Sequence, residues 1–168
     1  MHLIGLILIR GVNMKYNYPA IFYPDDGGVA IHFYDRPDWF TCGDDIAEAI
    51  FMAEDVLNLS LLDFEEEGKE IPTPTPLDQI KLTPNQLVRM IHADTEKYAK
   101  ELAEQLEHEK IMLSENPIKA IRELKGWNIK ELADFLNAPY RTIQDWNSGK
   151  SKPPKWIIDI IVEKVYQG

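Results

Sequence analysis

From Asn116 to Val165 the chain is cut into short apolar-periodic runs by residues that start or stop helices, and this punctuation leaves few folds open. Ile118, Ile121 and Leu124 recur at steps of three, after Asn116-Pro117 and before Lys125-Gly126. A cap residue followed by proline opens a helix, and a glycine just past the last periodic position closes it. Asn128 with Glu131 reads as a capping box for a second helix carrying Leu132, Ala133 and Leu136. Asn137-Ala138-Pro139 then turns the chain. A third helix begins near Tyr140, buries Ile143 and Trp146 and ends at Gly149. Lys150-Ser151-Lys152-Pro153-Pro154 leads into a fourth with Trp156, Ile157, Ile160, Ile161 and Val165. Helices this short are not stable singly. They must pack on one another as an all-α unit, and two short helices joined by so tight a turn form a helix-turn-helix arrangement.

The N-terminal part follows a different period. Tyr16–Tyr34 holds two β-rich runs around Pro24-Asp25-Asp26-Gly27-Gly28, a hairpin signal. In the second run Val29, Ile31 and Phe33 alternate with Ala30, His32 and Tyr34, which places His32 on the less apolar face. Trp39–Cys42 predicts a third strand. Asp45 with Glu48 predicts a capping box, and Ile46, Ile50, Ala53, Leu57, Leu61 and Phe64 predict one amphipathic helix ending near Glu65–Gly68. Pro72, Pro74, Pro76 and Pro84 force an extended connector over residues 69–84. Gln86–Ala93 predicts a fourth strand, and Asp94 caps a charged helix reaching about His108. The expected fold is α+β: an antiparallel sheet with helices, in the order β-β-β-α-β-α, followed by the all-α unit. Residues 14–108 form the first domain, 109–115 a linker and 116–168 the second domain.

Charge divides along the same line. Residues 1–110 carry 9 Lys/Arg against 21 Asp/Glu, a balance of −12, whereas residues 111–168 carry 9 against 7, a balance of +2. An acidic body attracts basic proteins and repels phosphate backbones, while the tail can approach nucleic acid. The single cysteine, Cys42, excludes an internal disulfide and a Cys-based zinc site and suits a reducing cytoplasm. Leu3–Ile9 is far shorter than the roughly 18 apolar residues needed to cross a bilayer, so no membrane contact is expected. Without a basic start or a small-residue cleavage site, Met1–Asn13 reads as an extension before a start at Met14, or as a stray edge strand.

The run L-A-D-F-L-N-A-P-Y-R-T-I-Q-D-W-N-S-G-K-S-K-P-P resembles the phage repressor/Cro-type helix-turn-helix family over roughly Pro117–Val165. Ala133, Trp146, Gly149, Lys150 and Pro153 stand at the family's small, tryptophan, glycine, basic and proline positions. Asn137 replaces the usual turn glycine and Asn147 a common glutamate. The resemblance implies that the third helix enters the major groove, where Tyr140, Arg141, Thr142, Gln144 and Asp145 read base edges. Arg141 suits guanine, Gln144 adenine and Asp145 the cytosine amino group. Lys130, Lys150, Lys152 and Lys155 are candidate phosphate contacts. One copy binds weakly, so a homodimer or higher even-numbered oligomer reading two half-sites of operator DNA is expected.

Five marks lie in the N-terminal part: the Tyr-Pro opening of the first strand, Gly27-Gly28 in the turn, Asp35-x-Pro37, Gly43-Asp44 before Glu48-Ala49, and Gly68-x-x-Ile71-Pro72. Together they resemble the HicB antitoxin family over roughly Lys15–Pro76 and more loosely to His108. Asp38 stands where the family has glycine after that proline. The resemblance implies a partial RNase H-like domain that masks a small HicA-like ribonuclease toxin, coupled to a C-terminal domain that represses its own operon. Asp35, Pro37, Trp39 and Phe40 are the candidate toxin contacts, with Trp39 and Phe40 either core residues or anchors for the toxin. The alternative function is a stand-alone transcriptional regulator with an N-terminal sensing or dimerisation domain.

An RNase H-like fold also raises a metal nuclease, for which Asp25, Asp26, Asp35, Asp38, Asp44, Asp45 and Glu48 supply carboxylates. Asp25 and Asp26 are explained by a turn, and Asp45 with Glu48 by a helix cap. His2, His32, His92 and His108 lack metal-ligand spacing, and no Gly-x-Ser-x-Gly elbow or phosphate loop occurs. A non-enzymatic protein without cofactor or metal is therefore expected.

Overall fold

The computed structural model describes residues 14–167, so the expectations for Met1–Asn13 lie outside the described residues. The chain divides between Glu101 and Leu102 into two compact units.

The first unit contains β1 (Lys15–Asp25), β2 (Gly28–Phe33), β3 (Phe40–Gly43), α1 (Ile46–Glu67), a single 3₁₀ turn (Leu77–Gln79), β4 (Leu87–Asp94) and the start of α2 (Thr95–Met112). Four strands form one antiparallel sheet in the order β3-β2-β1-β4. Asp25 pairs with Gly28 across a two-residue turn. Asp26 and Gly27 there take φ of 41° and 88°. Positive φ at both positions is the turn whose twist matches paired strands.

Alternation along the strands sends Tyr18, Ala20, Phe22, Ile31, Phe33, Ile91 and Ala93 to one face, where they pack on Ala49, Ala53, Leu57 and Leu61 of α1. His32 faces the other side, paired with Ile21 and Phe40. Helix α1 meets the sheet closely because Gly43 has no side chain: a Cβ there would overlap the backbone of Ala49. The proline-rich connector is tied to this unit by the Tyr18 hydroxyl, which donates to the Pro72 carbonyl, and by Asp35, which accepts from the Thr75 amide at 3.0 Å.

Several local expectations shift. The inward position in the first turn of α1 is Ala49, while Ile46 is 46% exposed. Side chains lean toward a helix's N-terminus, so Ile46 overhangs the helix end. Asp45 caps the Ala47 and Glu48 amides at 2.8 and 2.9 Å, but Glu48 reaches back to the Asp44 amide rather than to that of Asp45. Helix α1 ends as expected, with Gly68 at φ 65°. Helix α2 starts after Asp94, whose carboxylate accepts from the Lys97 amide at 3.1 Å. It continues past His108 to Met112, and Ile111 is buried in the second unit. Residues 109–115 contain no glycine or proline, so nothing stops the helix at His108 before the new start at Asn116-Pro117.

The second unit comprises the rest of α2, α3 (Pro117–Leu124), α4 (Ile129–Leu136), α5 (Tyr140–Asn147) and α6 (Lys155–Gln167). Ile111, Ile118, Ile121, Leu132, Ala133, Ile143, Ile161, Val162 and Val165 form its core. The Asn128–Glu131 capping box forms as the spacing predicts. Asn137 closes α4 in the left-handed region at φ 51°, a conformation that asparagine tolerates. Two apolar positions of α6 differ from expectation, because Trp156 and Ile160 are 62% and 54% exposed while Ile161, Val162 and Val165 are buried.

Candidate functional site

Helix α5 projects its early side chains outward. Tyr140, Arg141 and Gln144 are exposed, and none of these side chains has a hydrogen bond or ion pair to a described residue. Thr142 is half-buried beside the buried Ile143. Asp145 is engaged: its carboxylate meets the Lys150 ammonium at 3.3 Å, so these two candidate contacts partly neutralise each other. Lys130, Lys152 and Lys155 are exposed, with side chains that meet no partner among the described residues. The fold thus leaves an unneutralised arginine, an amide and a phenol along one short helix, with three unpaired lysines in the same unit.

The position of Asn147, where the resemblance leads one to expect glutamate, has a local explanation. Its side-chain oxygen accepts from Arg122 Nε at 2.9 Å, and a second guanidinium nitrogen donates to the Trp127 carbonyl at 3.0 Å. Arg122 thereby joins α3, the turn before α4 and the end of α5. Its ion pair is with the exposed Glu123, at 3.1 Å. Arg122, Asn128, Ile129, Lys130, Tyr140 and Asn147 line an open groove of about 480 Å³. Sequence reasoning missed Arg122; the unusual Asn147 was the available signal. Asn116, singled out only as a cap, also donates to the carbonyls of Trp146 and Asn147.

In the first unit the four candidate partner contacts separate. Trp39 is buried at 6% exposure and makes edge contacts with Tyr18, Phe33 and Phe64, so it packs as a core residue. It sits just before β3, where its carbonyl accepts from the Phe33 amide at 2.9 Å. Arg36 lies over the Trp39 and Phe64 rings at 5.0 Å each and grips Asp38 through two bonds of 2.9 and 2.6 Å. The hydrogen bond from Arg36 holds the Asp38 carboxyl below its ordinary range. Asp35 serves the connector through Thr75. Pro37 and Phe40 remain exposed, Phe40 at 70%.

The carboxylates weighed for a metal are mostly committed elsewhere: Asp26 to the hairpin turn, Asp35 to Thr75, Asp38 to Arg36, Asp45 and Glu48 to the start of α1. No group of three His, Cys, Asp or Glu able to hold a metal occurs among the described residues. No described helix is long and apolar enough to cross a membrane.

Over 63 residues, 38% of this chain, the sequence is 41% identical to antitoxin HicB 2 of Photorhabdus laumondii subsp. laumondii, and the match covers 44% of that relative. Antitoxin HicB of Escherichia coli K12 is likewise 41% identical over 63 residues, 36% of this chain and 45% of the relative. The chain therefore spans less than half the length of the curated relatives it matches. A toxin–antitoxin complex from Streptococcus pneumoniae aligns over 51% of this chain and 73% of its own, at 26% identity and a TM-score of 0.47. No protein-family model matches the chain. A stretch of this chain is thus similar to HicB antitoxins, within an α+β protein whose sheet is four-stranded and antiparallel.

Proposed function

We propose that the protein is a non-enzymatic antitoxin of a HicA/HicB-like toxin–antitoxin pair, acting in the cytoplasm without a cofactor. Its first unit, a partial RNase H-like domain, masks a ribonuclease toxin, and its second, a helix-turn-helix domain, binds operator DNA as a dimer and represses its own operon. The observation that carries the toxin half is the 41% identity over 63 residues to proteins named antitoxin HicB. The charge balance of −12 over residues 1–110 supports it, because a surface that binds an RNA backbone is basic and an acidic protein competes for it.

The DNA half rests on α4, the turn Asn137-Ala138-Pro139 and α5, two eight-residue helices whose outer side chains include the unpaired Arg141 and Gln144. In this reading α5 lies in the major groove, Arg141 and Gln144 donate to base edges, and Lys130, Lys152 and Lys155 meet phosphates. Asp145 and Lys150, bound to each other, contribute less. Toxin contacts are taken from exposed residues, Pro37 and Phe40 among the first four candidates.

Co-expression with the flanking genes, followed by mass spectrometry of the purified complex, tests the whole reading. A stoichiometric small basic protein that degrades RNA once freed is the expected outcome. A homodimer that binds its upstream DNA with no such partner makes the protein a stand-alone regulator instead.

A further inference from the structure

Helix α1 carries more acidic charge than the cations of its own unit neutralise, and the ion pair of Glu67 with Lys69 is the one its seven acids make among the described residues. Its 22 residues include seven Asp or Glu and no Lys or Arg. Three of the acids, Glu65, Glu66 and Glu67, stand at the C-terminal end, where the helix dipole disfavours negative charge. Lys69 pairs with Glu67, and Glu65 accepts from the Tyr16 and Thr95 hydroxyls. At Glu66, burial first, then the like charges of Asp63 and Glu67, push the carboxyl above the usual range.

In the N-terminal half of the same helix Phe51 is 68% exposed. Ala47, Glu48 and Glu54, at four and three residues before it and three after, are exposed around it. Residues at these spacings share one helix face. Glu54 has no side-chain partner among the described residues. An aromatic ring standing in water beside two carboxylates contributes nothing to the core, which is filled from the opposite side by Ala49, Ala53, Leu57 and Leu61.

We infer that the outer face of α1, centred on Phe51 and flanked by Glu48 and Glu54, is the surface on which the basic partner docks. This rests on the toxin reading above and names the site of that interaction. The ring fills an apolar hollow on the partner, and the carboxylates pair with cations that otherwise hold RNA phosphates. A second copy of this chain is a poor occupant, since two such faces repel each other, and nucleic acid is repelled for the same reason. A protein surface carrying lysines and arginines around an apolar depression is the chemistry that fits.

The test measures binding of the full-length chain to the purified toxin encoded beside its gene, by calorimetry at low and moderate salt. Phe51→Ala is expected to weaken binding by about 30-fold, the loss typical of a buried aromatic anchor. The double variant Glu48→Gln, Glu54→Gln is expected to weaken it by about tenfold at low salt and less at moderate salt, because screening already removes part of the attraction. Unchanged melting curves and unchanged operator binding show that the variants remain folded. Wild-type binding that survives all three changes within twofold overturns the docking site and leaves the antitoxin reading standing. So does a loss confined to Phe40→Ala, which would place the toxin on the sheet edge. Absence of binding by the wild-type chain overturns the antitoxin reading itself and the docking site with it.

Discussion

At the scale of single residues, close approach and buried polar contact decide most of the sensitivity. Gly43 lies against the backbone of Glu48 and Ala49, where an added Cβ has no room. Gly43→Ala is expected to destabilise the first unit by about 1–3 kcal/mol, the cost of overpacking, seen as a lower denaturant midpoint. Tyr98 gives a second prediction. Burial, and then its hydrogen bond to Asp55 at 2.7 Å, push the Tyr98 phenol up to about 12. A group whose folded value lies above the unfolded value of about 10 stabilises fully below that unfolded value, and the contribution is lost as pH rises through the folded one. Stability should therefore fall between pH 10 and about 12, with a shallower fall in Tyr98→Phe, followed by phenolate absorbance and melting in parallel. The hairpin turn, Gly68 and Asn128 were legible in sequence because turn and cap chemistry is local. Trp39 was not, because an aromatic residue beside a polar loop reads the same whether it turns inward or outward; the Tyr18, Phe33 and Phe64 rings around it decide that.

At the scale of elements, caps set where the short helices of the second unit begin. Asn128→Ala removes the one side-chain oxygen that accepts from both the Lys130 and Glu131 amides and should cost about 1 kcal/mol, the usual loss for an N-cap. Asn116→Ala should cost more, about 2–3 kcal/mol, since the same side chain caps α3 and also satisfies the carbonyls of Trp146 and Asn147 at the end of α5. Urea titration of the two variants ranks them directly, and equal losses would mean that the Asn116 bridge adds nothing to its cap. The end of α2 shows where periodicity stops informing. A stretch without glycine or proline carries no stop signal, and only the folded backbone shows that the helix persists to Met112, with Ile111 buried among Ile118, Ile161 and the rest of that core.

At the scale of the whole molecule, the proposed function, with one task for each unit, predicts separable damage. Arg141→Ala should relax operator recognition at one base pair by about 1–3 kcal/mol and leave toxin affinity unchanged, measured by mobility shift and by calorimetry on the same preparation. Lys130→Ala should instead weaken all DNA sequences alike and reduce the salt slope by about 1. If Arg141→Ala frees active toxin while DNA binding persists, the assignment of one task to each unit fails.

Composition, local periodicity and punctuation were enough to establish two differently built units, the order β-β-β-α-β-α, the cap residues and the acidic character of the first half. Each of these depends on neighbours within a few positions along the chain. Which residues of a helix face water, that Trp39 is core, that Asp145 is spent on Lys150 and that Arg122 answers Asn147 depended on contacts between residues far apart in sequence or on either side of a turn. Burial and pairing are properties of packed surfaces. A linear pattern names the residues able to take part, and the tertiary structure decides which partner each one meets.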